Sequence, residues 1–307
     1  MFAANNPPKK RTLVVITGPT AIGKTGVAIK IAKHFNASII SADSRQFFRE
    51  MKIGTAAPTP DELAAVPHYF AAHLSVNDYY NVSKFEADVL TLLDRLFAEN
   101  QVVVMTGGSG LYIDAVCKGI DDLPDPDQNL RNQIKLSFQE NGIEYLQKQL
   151  EKLDPEYFKV VDLANPNRLM RAIEVCLTTG TTFTSLRKNS AKSRNFSILK
   201  IGLSRPRNEL FENIGKRTDN MIASGLVEEV KNLVHYRRLN ALNTVGYKEI
   251  FDYLDGKTTL DEAITNIKTN TRRYAKRQLT WFKKDLDYHW FLPEEVDQII
   301  GFVEDRL

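Results

Sequence analysis

Short apolar runs separated by helical periodicities organise the first part of this 307-residue chain. Thr12–Thr17 and Val102–Thr106 are brief, continuous and rich in β-branched residues, as is typical of strands buried inside a parallel sheet. A further short strand is predicted within Ala37–Ala42, and Phe196–Leu203 predicts one that rejoins the same sheet. Because helical patterns lie between these runs, the sequence predicts an α/β fold with parallel strands.

Helices are predicted where apolar residues recur every three or four positions. One follows the first strand, and another is predicted to begin at Ser83–Glu86, which has the Ser-x-x-Glu form of a capping box. The periodic positions are Val27, Ala28, Ile31, Ala32 and Phe35 in the first helix, and Val89, Leu92, Leu93 and Leu96 in the second. Beyond the turn-rich linker Ile120–Asp127 the pattern is helical and more polar to about Asn195, and from Pro206 onward the chain is again largely helical.

Composition excludes several classes of protein. With 43% hydrophobic and 26% charged residues the chain can form a large core, and no apolar run approaches the roughly 18 residues that span a bilayer. Met1–Arg11 lacks the apolar segment of a secretory signal and is expected to be a frayed tail. Cys117 and Cys176 belong to no Cys-x-x-Cys pair, and the histidines show no metal-ligand grouping, so neither a disulfide framework nor a zinc site is predicted. We expect a cytoplasmic protein without a membrane partner.

Charge is distributed unevenly, although the net charge is only +3. Between Ile267 and Lys284 the chain carries only basic charges, at Lys268, Arg272, Arg273, Lys276, Arg277, Lys283 and Lys284. A cationic stripe on a nearly neutral protein is expected of a surface that binds a phosphate backbone. A solvated helix face without a partner is the alternative interpretation.

A phosphate-binding loop is the firmest motif in the chain. The run Gly-Pro-Thr-Ala-Ile-Gly-Lys-Thr matches G-x-x-x-x-G-K-[ST], after a predicted strand and before a predicted helix. Its glycines let successive backbone N–H groups converge on an anion, the helix N-terminus adds a positive dipole end, and the lysine adds a mobile charge. The candidate phosphate ligands are Gly18, Pro19, Thr20, Ala21, Ile22, Gly23, Lys24 and Thr25. Thr25 is also the candidate ligand for Mg²⁺, and the loop read alone suggests ATP.

The acidic residue of a nucleotide hydrolase is missing from its usual place. Such enzymes carry a metal-binding aspartate after an apolar strand, but Val102–Thr106 continues into Gly107-Gly108-Ser109. Instead, Asp43 follows the second predicted strand, where it would face bound phosphates across the carboxyl edge of the sheet. It is a candidate general base or metal ligand, and a turn-forming or helix-capping role is the alternative.

These residues, with others further along the chain, resemble the tRNA dimethylallyltransferases. Any one motif is weak evidence, but eight in the order found in that family are hard to obtain by accident. The segments are Gly18–Thr25, Asp43–Gln46, Ile53–Ala56, Gly107–Tyr112, Asn167–Glu174, Gly225–Val230, Thr244–Glu249 and Lys276–Phe282. They cover nearly the whole chain. The economical architecture is a P-loop NTPase-like core of residues 1–118 and 196–307 with a mainly helical C-terminal part, interrupted by a helical insertion domain at 119–195.

The resemblance implies transfer of a dimethylallyl group from dimethylallyl diphosphate to N6 of the adenosine 3′ of the tRNA anticodon, with release of diphosphate. The loop would then hold the diphosphate of the donor rather than a nucleotide. Departure of diphosphate needs fixed cations, namely Lys24, Mg²⁺ and, by family position, Arg217. Asp43 would accept a proton or hydrogen bond from the adenine N6 amine. Ser109 stands where the family usually has threonine and keeps the hydroxyl.

The resemblance also implies a set of residues that contact tRNA, from the core, the C-terminal helices and the insertion. They are Asp43, Ser44, Arg45, Gln46, Ser109, Arg131, Asn167, Arg168, Arg171, Lys248, Arg273, Lys276, Arg277, Gln278 and Trp281. Gln46 is a candidate reader of the edge of the base that must leave the anticodon stack. Arg273, Arg277 and Trp281 recur at i+4 spacing, so charge and a stacking ring share one helix face. Phe47-Phe48 stands where the family usually has Val-Tyr, so a phenol is absent there. Ala57 replaces a lysine that often follows the Ile-Gly-Thr-Ala segment, so a positive charge is absent as well.

Three other functions share part of this pattern. A small-molecule kinase would use the loop but not the basic stripe, and an isoprenyltransferase acting on free adenine nucleotides could dispense with the helical parts. A non-catalytic tRNA-binding protein would not need Lys24-Thr25 beside Asp43. The expected partners are the tRNA anticodon stem-loop, dimethylallyl diphosphate and Mg²⁺, and we expect a monomer.

Overall fold

Residues 10–125, 127–188 and 190–307 are described by the computed structural model of the protein. Of the predicted tail Met1–Arg11, all but Lys10 and Arg11 therefore lies outside the described residues. Pro126 of the predicted linker lies outside them as well.

A parallel six-stranded sheet forms the centre of the larger part of the fold, in the order β3-β2-β4-β1-β5-β6. The strands of the described chain are β1 (Thr12–Thr17), β2 (Ile39–Ser41), β3 (His68–Tyr69), β4 (Val102–Gly107), β5 (Ser197–Leu203) and β6 (Tyr288–Phe291). The predicted α/β class with parallel strands is confirmed, as are the four predicted strands. The sequence did not predict β3 and β6, because two and four residues at the sheet edges are too short to show a periodic pattern.

Thirteen α-helices are formed by the described residues. They are α1 (Lys24–His34), α2 (Pro60–Ala65), α3 (Val82–Glu99), α4 (Gly110–Lys118), α5 (Gln128–Leu153), α6 (Pro155–Phe158), α7 (Pro166–Thr179), α8 (Phe183–Leu186), α9 (Arg207–Ala223), α10 (Leu226–Asn232), α11 (Tyr247–Leu254), α12 (Leu260–Phe282) and α13 (Val296–Glu304). Short 3₁₀ turns occupy Val234–Tyr236 and Asn240–Leu242. Within the described ranges, none of these helices combines the length and apolarity that a membrane span requires.

The start of α3 differs from its prediction. The helix begins at Val82, and the side chain of Asn81 caps it by accepting the N–H of Lys84 at 2.9 Å. The expected capping box at Ser83–Glu86 is therefore wrong. Glu86 is buried and forms an ion pair with Arg194 at 2.7 Å, so its carboxylate serves the core rather than the helix start.

Apolar side chains cover both faces of the sheet. Helices α1, α9 and α13 pack on one face and contribute Ile31, Leu210 and Ile299, while α3 and α4 cover the other with Phe85 and Ile113. Because both faces of the sheet are covered, β1 is buried on both sides, which explains its continuous apolar sequence. Helices α10 to α12 form a further apolar cluster together with Phe48, Met51 and Val76.

The chain divides into two compact units, Met1–Cys117 with Arg194–Leu307, and Lys118–Ser193. The second unit is helical and has its own core, in which α5 and α7 bury Leu146, Leu150 and Ile173. Helix α5 is interrupted at Gly142, whose φ of 73° is not helical. Contact of this unit with tRNA stays a prediction.

Candidate active site

Three loops that follow neighbouring strands meet at one edge of the sheet. Strand β4 lies between β1 and β2, and all three run in the same direction. The loop Gly18–Thr25 follows β1, Asp43 lies two residues beyond β2, and Ser109 lies two residues beyond β4. The carboxyl edge of an open parallel sheet is where ligands bind, so the topology brings these predicted site residues together.

A close backbone contact joins the loops of Asp43 and Ser109. A Cβ atom at Gly107 would lie 2.3 Å from the carbonyl oxygen of Ala42, so only glycine permits this approach. The Ser109 N–H donates to that carbonyl at 3.2 Å. The Ser109 hydroxyl accepts from the Ser44 N–H at 2.9 Å and donates to the Ser44 hydroxyl at 3.1 Å. Ser109 is thereby fixed beside the Asp43 segment.

The phosphate loop has the backbone shape of an anion site. Ala21, with φ 64°, and Gly23, with φ 102°, both adopt the left-handed region, which turns successive N–H groups toward one side. No side chain of the described residues caps the start of α1 at Lys24. The N–H groups of its first turn therefore remain available to an anion at the positive end of the helix dipole.

Lys24, Asp43 and Arg217 influence one another electrostatically. The Lys24 ammonium donates to the carbonyls of Gly18 at 3.1 Å and Pro19 at 2.9 Å. Burial lowers the pKa of Lys24 to about 8, opposed by the negative charge of Asp43 and reinforced by the positive charge of Arg217. Burial likewise lowers the pKa of Arg217, and Asp43 opposes that shift. Two cations and one carboxylate therefore share this part of the site.

Internal hydrogen bonds fix the Asp43–Gln46 segment. Asp43 accepts the N–H of Arg45 at 3.1 Å, and the Arg45 guanidinium donates to two carbonyls of the turn Asn240–Leu242, at 2.8 and 3.2 Å. The Gln46 amide donates to both carbonyls of Thr55-Ala56, at 3.2 and 2.9 Å. The Gln46 side chain therefore points at the protein backbone, and a contact with a base edge requires exchange of these bonds.

Gln278, predicted to contact tRNA, lies inside the protein. Its side chain is 5% exposed, donates to the carbonyl of Gly108 at 2.9 Å and accepts the N–H of Thr20 at 2.8 Å. It thus joins the phosphate loop to the loop after β4. The position differs from the expected surface contact because Gln278 occupies the face of α12 that is packed against the core, whereas its neighbour Arg277 is exposed.

We expect Gln278→Leu to lower the free energy of unfolding by about 2–6 kcal/mol, since each of two buried polar groups left unpaired costs about 1–3 kcal/mol. The unpaired groups would be the Thr20 N–H and the Gly108 carbonyl. Urea denaturation measures the change. Lys276→Leu, at an exposed position of the same helix, is the matched control. Equal stability of the two variants would contradict the bracing role.

A tyrosine and an aspartate of the site were missed by sequence reasoning. Tyr274 interacts electrostatically with Asp43 and Arg45, and burial, reinforced by Asp43, raises its pKa. Its spacing of four from Gln278 on the same helix was the available signal. Asp114 accepts the indole N–H of Trp281 at 2.9 Å, which fixes a ring that remains 40% exposed. A fixed exposed indole is suited to stacking on a base.

Two arginines of the basic stripe, Arg273 and Arg277, line a cleft of about 370 Å³ beside α11 and α12. Lys248 lines it as well, and these three basic side chains are exposed; the carboxylates of Glu249 and Asp252 also line the cleft. Lys276 is exposed on the same helix, whereas Lys268 forms an ion pair with Asp219 at 2.6 Å. Tertiary structure therefore distinguishes exposed members of the stripe from Lys268, which is paired with an acidic residue.

Four further predicted residues belong to the Lys118–Ser193 unit. Asn167 and Arg168 are exposed at the start of α7. Arg131 and Arg171 each donate to the same carboxylate oxygen of the buried Glu174 at 3.3 Å. This shared acceptor fixes both guanidinium groups, which are 35% and 27% exposed.

Comparison with known proteins gives a consistent result. The family model described as IPP transferase matches residues 46–285. The chain is 51% identical over 296 residues to a tRNA dimethylallyltransferase of Christiangramia forsetii, covering 96% of this chain and 98% of that protein. It is 49% identical over 294 residues to tRNA dimethylallyltransferase 1 of Bacteroides fragilis, with the same shares covered.

A solved structure is similar as well. The crystal structure of the full-length tRNA isopentenylpyrophosphate transferase of Bacillus halodurans matches with a TM-score of 0.71 and 34% identity, covering 96% of each chain. The predicted P-loop NTPase-like core and the resemblance drawn from eight sequence motifs are thereby confirmed. The chain belongs to the IPP transferase family.

Proposed function

We propose that the protein transfers a dimethylallyl group from dimethylallyl diphosphate to N6 of the adenosine 3′ of the anticodon in tRNA, releasing diphosphate. The observation that carries this proposal is the convergence of Lys24, Arg217 and Asp43 at the carboxyl edge of the sheet. Such a site offers cations for a leaving diphosphate and a carboxylate for a proton. The named activity of the similar proteins supports the same reaction class.

The donor end of the site stabilises the leaving group. As the bond between the allylic carbon and the diphosphate oxygen breaks, its electron pair remains on diphosphate. Hydrogen bonds from the loop N–H groups stabilise the negative charge that develops there. Lys24 exchanges its carbonyl partners for phosphate oxygens, and Arg217 adds a second fixed charge. Such preorganised donors act most strongly in a partly buried site.

Mg²⁺ fits the donor set as a partner of bound diphosphate. Among the described residues, no group of three or more His, Cys, Asp or Glu could hold a metal by itself. Mg²⁺ commonly takes one or two protein oxygens and fills its other positions with phosphate oxygens and water. The Thr25 hydroxyl, in the first turn of α1, would hold it. Bound there, it would supply Lewis-acid neutralisation of diphosphate charge.

The acceptor end holds the adenine amine and takes its proton. The N6 lone pair forms the new bond to the allylic carbon, and Asp43 accepts the proton that N6 loses. An exocyclic amine is a weak nucleophile, so its position relative to the carbon dominates the rate. Ser44 and Ser109, which already bond to each other beside Asp43, supply hydroxyl groups for this purpose.

The exposed basic side chains of the cleft beside α11 and α12, together with the exposed indole, supply the tRNA surface. Lys248, Arg273 and Arg277 would neutralise phosphates of the anticodon stem-loop, and Trp281 would stack on a base of the loop. We also assign Arg168 and Asn167 of the second unit to tRNA contact, since both are exposed. Flipping of the target base costs a few kcal/mol, which such stacking offsets.

We expect Arg273→Ala combined with Arg277→Ala to weaken tRNA binding and to reduce its salt dependence. Each phosphate contact contributes about 0.7–0.9 to the slope of log K against log salt concentration, so the double variant should lose up to about 1.8. Filter binding across a salt series measures this slope. Lys30→Ala with Lys33→Ala removes equal charge from exposed positions of α1 and serves as control. An unchanged slope would assign the two arginines to a solvated face.

Incubation with labelled dimethylallyl diphosphate, Mg²⁺ and unmodified tRNA tests the proposed function, with AMP and ATP as alternative acceptors. We expect label in tRNA and none in the free nucleotides. Label in AMP or ATP but not in tRNA would favour the isoprenyltransferase of free nucleotides. Phosphate transfer from ATP to a small molecule would favour a kinase, and tRNA binding without transfer would favour a non-catalytic protein.

We further propose a monomer that works in the cytoplasm. The 34.9 kDa mass of the chain is the value that light scattering should return for a monomer. Twice that mass would contradict it.

A further inference from the structure

A single carboxylate holds the segment Lys52–Ala56, which we call the strap. Glu229 accepts the backbone N–H groups of Lys52 at 2.9 Å, Ile53 at 2.8 Å and Gly54 at 2.9 Å. Charge-assisted bonds of this kind are about twice as strong as neutral ones. Three successive backbone groups of the strap therefore depend on one side chain at the start of α10.

Tyr247 completes this anchor. Its hydroxyl donates to Glu229 at 2.6 Å, and its ring is fully buried in the cluster formed by α10 to α12. Burial and the neighbouring carboxylate raise the pKa of Tyr247, so the phenol stays a donor. A Cβ atom at Gly54 would lie 2.5 Å from this ring. The strap thus rests directly on the core, and glycine is required at the point of contact.

The far end of the strap reaches the candidate active site. The carbonyl of Thr55 accepts from the Arg217 guanidinium at 3.4 Å and from the Gln46 amide at 3.2 Å, and the Ala56 carbonyl accepts from the same amide at 2.9 Å. The Thr55 hydroxyl donates back to the Met51 carbonyl, which restricts the turn further. Strap carbonyls therefore orient the side chains of both Arg217 and Gln46.

Arg217 is the side chain that this arrangement affects most. It is half-buried and interacts electrostatically with Lys24 and Asp43, and a guanidinium binds phosphate strongly only when its planar fork is correctly aimed. One N–H group of the fork donates to the Thr55 carbonyl. Because the guanidinium is planar and rigid, this bond sets the direction of its other N–H groups. Displacement of the strap would turn Arg217 even though no catalytic side chain had changed.

We infer that Glu229 is a positioning residue, which holds the strap so that the Thr55 carbonyl aims Arg217 at the diphosphate group. The inference rests on the proposed function for the identity of the anion. Glu229 itself touches neither the phosphate loop nor Asp43 through any hydrogen bond of the described residues, so its effect must pass through the strap.

Calorimetric binding of magnesium diphosphate to the whole protein tests the inference without any transfer step. In Glu229→Gln one carboxylate oxygen becomes an NH₂ group that cannot accept, so part of the anchor is lost. We expect about a tenfold weaker affinity for diphosphate and a lower kcat, with the KM for tRNA unchanged. Glu228→Gln, at the exposed neighbouring position, should bind like the wild type.

A double-mutant cycle separates positioning from general destabilisation. If Glu229 acts through Arg217, the change in diphosphate affinity caused by Glu229→Gln should vanish in an Arg217→Gln background. An equal loss in both backgrounds, or an unchanged affinity in Glu229→Gln, would overturn the inference. Tyr247→Phe retains the carboxylate and its three backbone partners and should show a smaller effect of the same kind, which allows the test even if Glu229→Gln folds poorly.

The two proposals fail separately. Coupling between Glu229 and Arg217 in diphosphate binding, with no label transferred to tRNA by the wild-type protein, would refute the proposed function and keep the positioning role. Transfer to tRNA by the wild type, with losses of diphosphate affinity from Glu229→Gln and Arg217→Gln that simply add, would support the proposed function and refute the positioning role.

Discussion

Replacement of Asp43 by alanine is expected to reduce dimethylallyl transfer by about 10²–10⁴-fold while tRNA affinity stays close to that of the wild type. The carboxylate lies beside Lys24 and Arg217, and its proposed task is to take the proton of the attacking amine. The hydrogen bond that the Asp43 carboxylate accepts from the Arg45 N–H is local to the turn. Removal of the carboxylate therefore changes the chemistry more than the surface that meets tRNA.

Single-turnover transfer at saturating substrate, with filter binding of tRNA in parallel, separates these two effects. Asp43→Asn tests whether charge rather than shape is needed, since the amide cannot accept the proton. Asp61→Asn, an exposed carboxylate in the first turn of α2, is the matched control and should transfer normally. Equal losses of transfer and of tRNA binding in Asp43→Ala would refute its chemical role.

Replacement of Lys24 by methionine is expected to lower the rate of transfer by about 10²–10³-fold, the cost of losing one preorganised donor to a developing oxyanion. The substitution retains an unbranched apolar stem of similar length, so α1 should still begin at this position. Affinity for magnesium diphosphate should fall as well. In the wild type the Lys24 ammonium exchanges its carbonyl partners for the anion, and methionine cannot make this contact.

Lys30→Met, on an exposed position of the same helix, controls for loss of one positive charge. Rapid-quench measurement of labelled product gives the rate, and calorimetry gives the affinity for diphosphate. A Lys24→Met protein that transferred at the rate of Lys30→Met would remove the loop lysine from the mechanism. A matching loss of tRNA affinity would instead indicate a general disturbance of the fold.

Local features of the fold were predictable wherever a short stretch of chain carries its own physical reason. A continuous β-branched run predicted β1, and the spacing of glycines and lysine predicted the loop that follows it. The helix after the loop is likewise encoded by a periodic apolar face. The error at Ser83–Glu86 has a physical cause, because the Asn81 cap outcompetes the capping box and the core takes Glu86 as a partner for Arg194.

Roles that depend on distant partners were not predictable. Gln278 looked like a residue of a basic, tRNA-binding segment, yet its amide joins Thr20 to Gly108. Glu229 appeared only as one letter of a family motif, yet it carries the strap. Each function arises from a contact across more than one hundred positions of chain, which no periodicity or local spacing reports.

The sequence by itself determined four of the six described strands, the parallel sheet, the phosphate loop and the family, because backbone propensity, burial pattern and loop chemistry are local properties. The tertiary structure decided which residues share a site. Parallel strands end at one edge, so loops far apart in sequence meet there. Asp43 therefore interacts electrostatically with Lys24 and Arg217. It also decided which polar groups are consumed inside, as Gln278 is, and which remain for a partner, as Arg273 does, because burial is set by packing and not by residue type.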